Sequence, residues 1–532
     1  MKNKIIPPVY YRLDKNKNLK GNVLFAILSG ALLILSFPKY GSSFVAWFAF
    51  IPLLFALHRV TSIRQAILLG FITGVVGYIG IIYWIAYVMV NYGYLPIYLG
   101  IILMLLLACY LSVYLAIFAA GIVYFRRKIP LYLIAPVLWI CLEYCKSQLF
   151  TGFPWENLGY SQYLNLYLIQ FADILGVYGL SFLIILVNAS LFEIITKRSK
   201  REYILAAAVS LVLVTVYIYG IFRVNNIDNL LQNPSTPSME VSLIQGNIDQ
   251  SIKWNENFQK ETLNIYEDIS IKNIPASGGL IVWPETAVPF NFQDENELSR
   301  QIRNLAIKTK SDFIFGSISY LRRSHYVDFY NSAYLLSPEG EVKGKYDKVH
   351  LVPYGEYVPL RNMFPFIKGL TAGIGDFSTG DGYFPLSTAD RKIGILICYE
   401  GILPFAARMY KNESAEILVN ITNDAWFGST SAPYQHLSMT IFRAVETRLY
   451  LVRAANTGIS AIVDPRGQIV AKTNIFQKDS LKGNVKLFKI PTFYAKHGDI
   501  LVGVCFMLSV FCLLWSFKWG LKNADRKHSR KN

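Results

Sequence analysis

The chain has 532 residues, too many for one compact core, and 53% of them are hydrophobic against 16% charged. That balance excludes an ordinary soluble protein and points to membrane spans with at least one further domain. A formal charge of +17 raises nucleic acid as a partner, but its distribution along the chain argues against it.

Residues 1–20 are polar and basic, carrying Lys2, Lys4, Arg12, Lys15, Lys17 and Lys20. Apolar runs of spanning length follow near 21–38, 41–57, 66–90, 95–125, 130–146, 174–195 and 203–222, with another at about 499–517. The first run lacks a small-residue cleavage site after it and is expected to remain as an anchor. Lysine and arginine gather in the N-terminus, at Arg59 and Arg64, in Arg126-Arg127-Lys128, in Lys197-Arg198-Lys200-Arg201, and in the tail from Lys518 to Lys531. These segments fall on alternate sides of successive spans, so one topology puts all of them in the cytoplasm. The excess basicity is then a topological signal, and no nucleic acid is expected. The expected organisation is a membrane domain over 1–224 with seven transmembrane helices, an exported catalytic domain over 225–495, and a C-terminal transmembrane helix with a basic cytoplasmic tail over 496–532.

The exported segment has a different texture. Short apolar strands alternate with polar helical stretches: Val241–Ile244, Leu280–Trp283, Phe313–Gly316, Ala333–Leu336, Ile393–Ile397, Ile417–Asn420 and Ile459–Val463. The turns Ser337-Pro-Glu-Gly340 and Asp464-Pro-Arg-Gly467 are expected to close hairpins. The alternation predicts a layered α/β domain of about 250 residues.

Of the six cysteines, Cys109, Cys141, Cys145, Cys505 and Cys512 lie in strongly apolar stretches, and Cys398 alone is in the polar part of the chain. No disulfide framework and no zinc motif is available there. Cys141 and Cys145 share a helix face and read as packing or lipid-side residues. Cys398 ends an apolar strand in Gly394-Ile-Leu-Ile-Cys398-Tyr-Glu-Gly401, where the turn calls on glycine's backbone freedom. Two other apolar runs end in charge. Gly279-Leu-Ile-Val-Trp-Pro-Glu285 delivers a carboxylate, and Gly344-Lys-Tyr-Asp-Lys348 delivers a lysine, with Glu356 eight residues on. A thiol needs a base to take its proton and a fixed positive charge for the thiolate and the oxyanion. Glutamate, lysine and cysteine meet that need if a dry site raises the carboxyl pKa. Taken singly, Glu285 and Lys348 also fit a solvated surface pair.

Trp283-Pro-Glu-Thr286, Lys348-Val-His-Leu-Val-Pro-Tyr-Gly-Glu-Tyr-Val-Pro359 and Cys398-Tyr-Glu-Gly401 resemble the three signatures of the nitrilase (carbon–nitrogen hydrolase) superfamily. With eight spans, the chain resembles the bacterial apolipoprotein N-acyltransferases. Gln245-Gly-Asn-Ile-Asp-Gln-Ser-Ile-Lys-Trp254, Thr422-Asn-Asp-Ala-Trp-Phe-Gly428 and Thr151-Gly-Phe-Pro-Trp155 match that family too. The resemblance implies a multi-pass α-helical membrane domain with eight transmembrane helices, joined to an exported nitrilase-like αββα sandwich. It implies Glu285 as general base, Lys348 as thiolate and oxyanion stabiliser and Cys398 as nucleophile. Glu356, Tyr399 and Glu400 would support them, with Trp254 and Trp155 on the substrate side. The implied partners are a phospholipid acyl donor and a diacylglyceryl-apolipoprotein acceptor, in the bacterial inner membrane, with no cofactor and no metal. Tyr354 stands where the family usually has phenylalanine, and Ser429 where an acidic residue is common.

Other readings compete. His350 or His436 could serve as base in place of Glu285. Asp424 reads as a turn or cap residue, and Trp155 also as an interfacial anchor. The apolar, glycine-rich segment 363–375 reads as a flap at the bilayer surface that admits acyl chains. A membrane-tethered amidase acting on small carbon–nitrogen compounds is the first alternative function. A transporter using Glu143 and Asp173 is the second.

Overall fold

The computed structural model describes residues 19–275, 279–353, 355–357 and 376–528, with side chains as far as Lys518. The N-terminal basic stretch before Leu19, Tyr354, the segment 363–375 and the side chains of the tail beyond Lys518 lie outside the described residues.

Six helices among the described residues are long and apolar enough to cross a bilayer: Leu19–Ser36, Ile63–Ile82, Ile97–Phe125, Ile169–Lys197, Lys200–Gln232 and Ile500–Lys518. Two of the eight expected runs fall short of that length and apolarity. The run expected at 41–57 breaks into a 3-10 turn, Ser43–Trp47, and a nine-residue helix, Ile51–Arg59, with Pro52 in its first turn. Together they make one shorter apolar stretch, Ser43–Arg59, which buries Leu53, Ala56 and Leu57 inside the bundle. The run expected at 130–146 is an 18-residue helix, Leu131–Gln148, but it carries buried Glu143 and Lys146 and falls short on apolarity.

Basic residues collect at one end of the bundle. The Arg126 guanidinium donates to the Leu57 and Val60 carbonyls, Lys128 reaches Ser516, and Glu193 accepts from the Leu131 N–H at 3.0 Å and from Lys197 at 2.8 Å.

Twelve strands follow among the described residues: β1 (Ser238–Gln245), β2 (Leu280–Val282), β3 (Asp312–Arg322), β4 (Val327–Leu336), β5 (Val342–Asp347), β6 (Leu386–Ser387), β7 (Lys392–Ile397), β8 (Ile417–Thr422), β9 (Tyr450–Ala455), β10 (Ala461–Val463), β11 (Ile469–Lys472) and β12 (Asp479–Lys486). They form two six-stranded sheets, ordered β12-β1-β2-β3-β4-β5 and β11-β10-β9-β8-β7-β6. The central strands β1-β2-β3 and β7-β8-β9 run parallel, and the flanking pairs are antiparallel. Both expected turns close hairpins: Gly340 N donates to Ser337 O at 2.9 Å and Gly467 N to Asp464 O at 2.8 Å.

Side-chain alternation makes the layers. Leu280, Val282 and Ile314 join Ile395, Ile397 and Val419 in the core between the sheets. Their neighbours Ile281, Phe313 and Phe315 face the other way, onto Leu263 and Tyr266 of helix Glu256–Lys272 and Ile302 and Leu305 of helix Glu297–Thr309. Each such fully buried side chain contributes about 1.5–3 kcal/mol. Strands apolar on both faces belong inside a sandwich, so the expected αββα arrangement is the observed one.

The outer helix of the second sheet, Ala432–Thr447, is buried along its whole length because it also packs on the membrane helices. Gln435 welds the joint. Its amide nitrogen donates to Pro38 O at 3.0 Å and Ile81 O at 3.1 Å, and its oxygen accepts from Trp84 at 3.1 Å and Trp155 at 2.8 Å. Asp173 makes a second weld, bound by Arg448 at 2.7 Å and Arg223 at 2.8 Å. That satisfied ion pair gives Asp173 a structural role rather than a transport one.

Candidate active site

Three strand ends converge at this joint. The chain leaves β2 through Trp283-Pro284 to Glu285, with Thr286 at φ 46°. Gly316 of β3 makes room: a Cβ there would lie 2.4 Å from the Thr286 nitrogen and 2.8 Å from the Glu285 Cα. β5 ends at Asp347 and delivers Lys348, whose N–H donates to the Asn331 carbonyl at 2.8 Å. β7 ends at Ile397 and delivers Cys398 at φ 52°. This corrects the role expected of glycine in the turn. The left-handed residue is the cysteine itself, at a cost of about 1–3 kcal/mol. Gly401 supplies space instead, since a Cβ would lie 2.6 Å from Thr440 Cγ2 and 2.9 Å from Asn420 Nδ2.

Both oxygens of the buried Glu285 carboxylate are held. Asn331 Nδ2 donates to Oε1 at 2.8 Å, and the Asn423 N–H donates to Oε2 at 2.9 Å. Asn331 Nδ2 also donates to Glu356 Oε1 at 2.8 Å, tying the two carboxylates together. Lys348, 1% exposed, donates to Glu356 Oε1 at 2.8 Å and lies 2.7 Å from Oε2, which also accepts from the Val352 N–H at 2.8 Å.

Burial pushes the Glu285 carboxyl above its ordinary range; Lys348 opposes the shift and Glu356 adds to it. Burial also pushes the Cys398 thiol up, with Glu285 adding and Lys348 opposing. Burial works against the Lys348 charge, but Glu356, Cys398 and Glu285 hold its pKa above the usual value. A permanent cation beside a carboxyl of raised pKa and a reluctant thiol is an arrangement for moving the thiol proton to glutamate as an electrophile arrives.

Tyr399 lies between two rings, His350 at 5.8 Å and 12° and Trp155 at 6.4 Å and 18°. Trp155 is 1% exposed, so it is buried against the Cys398 turn rather than anchored at a lipid interface. Trp254 is 45% exposed. Its neighbour Lys253 is buried, donating to Thr286 Oγ1 at 2.6 Å and Glu285 O at 3.3 Å; burial lowers its pKa to about 8. Neither histidine stands as base: His350 stacks on Tyr399, and His436 Nε2 faces the Cys398 carbonyl at 3.2 Å. Asp424 opens the 3-10 turn Asp424–Phe427, but its side chain does more than the turn reading expected. It is fully buried, with Arg453 at 2.6 Å and His436 at 3.0 Å, a pairing its partners' distance in sequence conceals.

A cleft of about 260 Å³ opens between the membrane domain and this turn, lined by Phe150, Thr151 and Pro154 on one side and His350, Leu403 and Phe405 on the other. Its inner wall, His350, is the ring stacked on Tyr399.

Two family models match the chain: the apolipoprotein N-acyltransferase N-terminal domain over residues 29–190 and the carbon–nitrogen hydrolase over residues 240–490. An apolipoprotein N-acyltransferase of Geobacter metallireducens is 48% identical over 91% of this chain and 92% of its own length. The chain belongs to the apolipoprotein N-acyltransferase family. Other apolipoprotein N-acyltransferases are similar: that of Rickettsia prowazekii is 36% identical over 72% of this chain and 76% of its own, and that of Haemophilus ducreyi 30% identical over 94% and 96%. As an acyltransferase of this family, the chain is not favoured as a small-molecule amidase.

Within this apolipoprotein N-acyltransferase fold, Glu400 holds the Cys398 turn in shape. Its Oε1 accepts from Tyr346 OH at 2.9 Å, Val349 N at 2.9 Å and His350 N at 3.0 Å, and its Oε2 accepts from Ile397 N at 2.8 Å. Burial pushes its pKa up to about 7, opposed by Lys348 and by these donors. Glu400→Gln turns one acceptor into an NH₂ that must face a donor. The expected result is a stability loss of about 2–4 kcal/mol in chemical or thermal unfolding. A variant as stable as wild type would show that the turn does not depend on this carboxylate.

Proposed function

We propose that this chain moves an acyl chain from a phospholipid, through a thioester on Cys398, to the α-amine of the N-terminal S-diacylglyceryl-cysteine of apolipoproteins. The observation that carries this reading is the convergence of Glu285, Lys348 and Cys398 beside a cleft walled by the membrane domain. Residues 225–495 are the exported catalytic domain, on the periplasmic side of the inner membrane. The bundle end that gathers Arg126, Lys128 and Lys197 is the cytoplasmic one, with both termini there.

In the first half-reaction Glu285 takes the Cys398 proton and the thiolate attacks a phospholipid ester carbonyl. Lys348 faces the oxyanion. The tetrahedral intermediate collapses, Glu285 returns the proton to the departing alkoxide, and a lysophospholipid leaves. In the second, the acceptor α-amine attacks the thioester and gives a proton to Glu285. The thiolate leaves, is reprotonated by Glu285, and an amide remains. Ping-pong kinetics follow. Each methylene drawn from lipid into water costs about 0.8 kcal/mol, which is why the thiol belongs at the bilayer surface. Glu356, Tyr399 and Glu400 support the site, Trp155 acts through Tyr399, and Trp254 is a substrate-side aromatic.

The test is intact-mass measurement on the purified full chain. Phospholipid alone is expected to leave an acyl adduct, and a diacylglyceryl-cysteine peptide to discharge it as N-acyl peptide. Discharge to water at the same rate with or without peptide would sink the transferase reading.

A further inference from the structure

The oxygen of the nucleophile's own peptide is gripped from behind by a buried polar network that no step above uses. Two donors reach the Cys398 carbonyl: His436 Nε2 at 3.2 Å and Asn420 Nδ2 at 3.3 Å. Behind them stands one ion pair. Arg453 holds Asp424 Oδ2 at 2.6 Å and the Asn420 side-chain oxygen, and Asp424 Oδ1 lies 3.0 Å from His436 Nδ1. Thr422 donates its hydroxyl to Asp424 Oδ1 at 2.9 Å. His436, Asp424, Asn420 and Arg453 are each 0–1% exposed, so water does not share these bonds.

The network fixes a hydrogen on one ring nitrogen. Nε2 faces a carbonyl, which only accepts, so Nε2 carries a hydrogen in any arrangement that is not repulsive. Nδ1 can be bare, because Arg453 Nη2 is 3.1 Å away to donate to it, or protonated toward Asp424. In either state the ring donates to Cys398 O.

A trans peptide has its C=O and N–H pointing in opposite directions. Pinning the Cys398 oxygen on the His436 side therefore turns the Tyr399 N–H to the other face of the same peptide. Cys398 leaves β7 and opens the 3-10 turn Cys398–Ile402, and the side-chain donors add their hold on this peptide to that of the turn. We propose that His436, oriented by Asp424 and Arg453, is a positioning residue for acyl transfer: with Asn420 it locks the Cys398–Tyr399 peptide so that the Tyr399 N–H donates to the oxyanion opposite Lys348. This rests on Cys398 being the acylated residue.

The two side-chain amides separate this role from mere packing. Gln carries a donor at about the depth of Nε2, whereas Asn carries one only at about the depth of Nδ1. The experiment uses purified full-length protein with phospholipid and reads the acyl-enzyme formation rate constant, its half-saturating phospholipid concentration and the melting temperature. His436→Ala and His436→Asn are expected to acylate about 30–100-fold more slowly, below the loss for deleting a direct oxyanion donor. Half-saturation is expected to stay within about two-fold, and His436→Gln to recover to within about five-fold of wild type. Rates that follow melting temperature alone, or a Gln variant no faster than the Asn variant, overturn the proposal. A wild type that forms no acyl-enzyme overturns the thioester reading itself, which the variants do not touch.

Discussion

Cys398→Ala is expected to fold normally and to take up no acyl group from phospholipid, with transfer reduced by roughly 10⁴-fold or more. The sulfur is the only atom in the constellation that can form the thioester. Its neighbours are oxygen acids, amides and amines already committed to one another: Glu285 to Asn331 and Asn423, Lys348 to Glu356. The fold does not depend on the sulfur. Cys398 is only half-buried, and the turn is held by Glu400 and by the donors on the Cys398 carbonyl. Alanine keeps that backbone, so unfolding should move by no more than about 1 kcal/mol. The measurement is intact mass after incubation with phospholipid. A wild-type adduct missing from the variant fits; an equal adduct on both would move the nucleophile elsewhere. The remaining cysteines, Cys109, Cys141, Cys145, Cys505 and Cys512, all sit in apolar helices of the membrane domain.

Lys348→Met should do nearly as much harm, by two routes. The ammonium is the only cation bonded to a carboxylate of the Glu285–Asn331–Glu356 group among the described residues, and it faces the thiolate and the oxyanion in the proposed mechanism. Removing it is expected to slow acylation by about 10²–10⁴-fold. It also leaves two carboxylates tied through one amide with nothing to balance them, a loss of about 3–5 kcal/mol for a buried pair broken on one side. The pH profile carries the sign. Burial already raises the Glu285 pKa, and Lys348 is the main influence holding it down. Without Lys348 that pKa climbs further. The base is then protonated over more of the pH range, and the acid limb of the acylation rate moves to higher pH. A variant with an unmoved acid limb and a rate within ten-fold of wild type would remove Lys348 from the mechanism.

Much of the candidate set was legible because Glu285 and Cys398 each follow a strongly apolar run. Leu280–Val282 and Ile393–Ile397 are apolar on both faces, so a buried strand, and a charge at its end, could be read directly. β12 was not legible: Asp-Ser-Leu-Lys-Gly-Asn-Val-Lys is an edge strand whose polar residues meet solvent. β9 was missed for a different reason. Its Arg453 looks like a surface residue until Asp424 and Asn420, on a neighbouring strand and turn, are seen to neutralise and bind it. Asn331 gave no signal, since it acts by bonding Glu285 and Glu356, 46 and 25 residues away, and Asn423, although inside a quoted motif, gave none of its backbone bond to Glu285, 138 residues away. The break of the 41–57 run into a 3-10 turn and the short helix Ile51–Arg59 was not legible, because hydropathy reports burial without saying whether lipid or protein does the burying.

Composition, periodicity and motif spacing by themselves determined that this chain has a membrane half and a layered α/β half, with a cysteine, a glutamate and a lysine at strand ends. Those are local properties, carried by which residues follow which. Only the tertiary structure decided which groups touch: Asn331 bridging two carboxylates, Gln435 sealing the helix ends, and His436 facing a carbonyl instead of a thiol. Hydrogen bonds act over about 3 Å and desolvation depends on everything packed around a group. Both are therefore set by chain segments hundreds of residues apart, and they exist only once the sheets and the helix bundle have closed on each other.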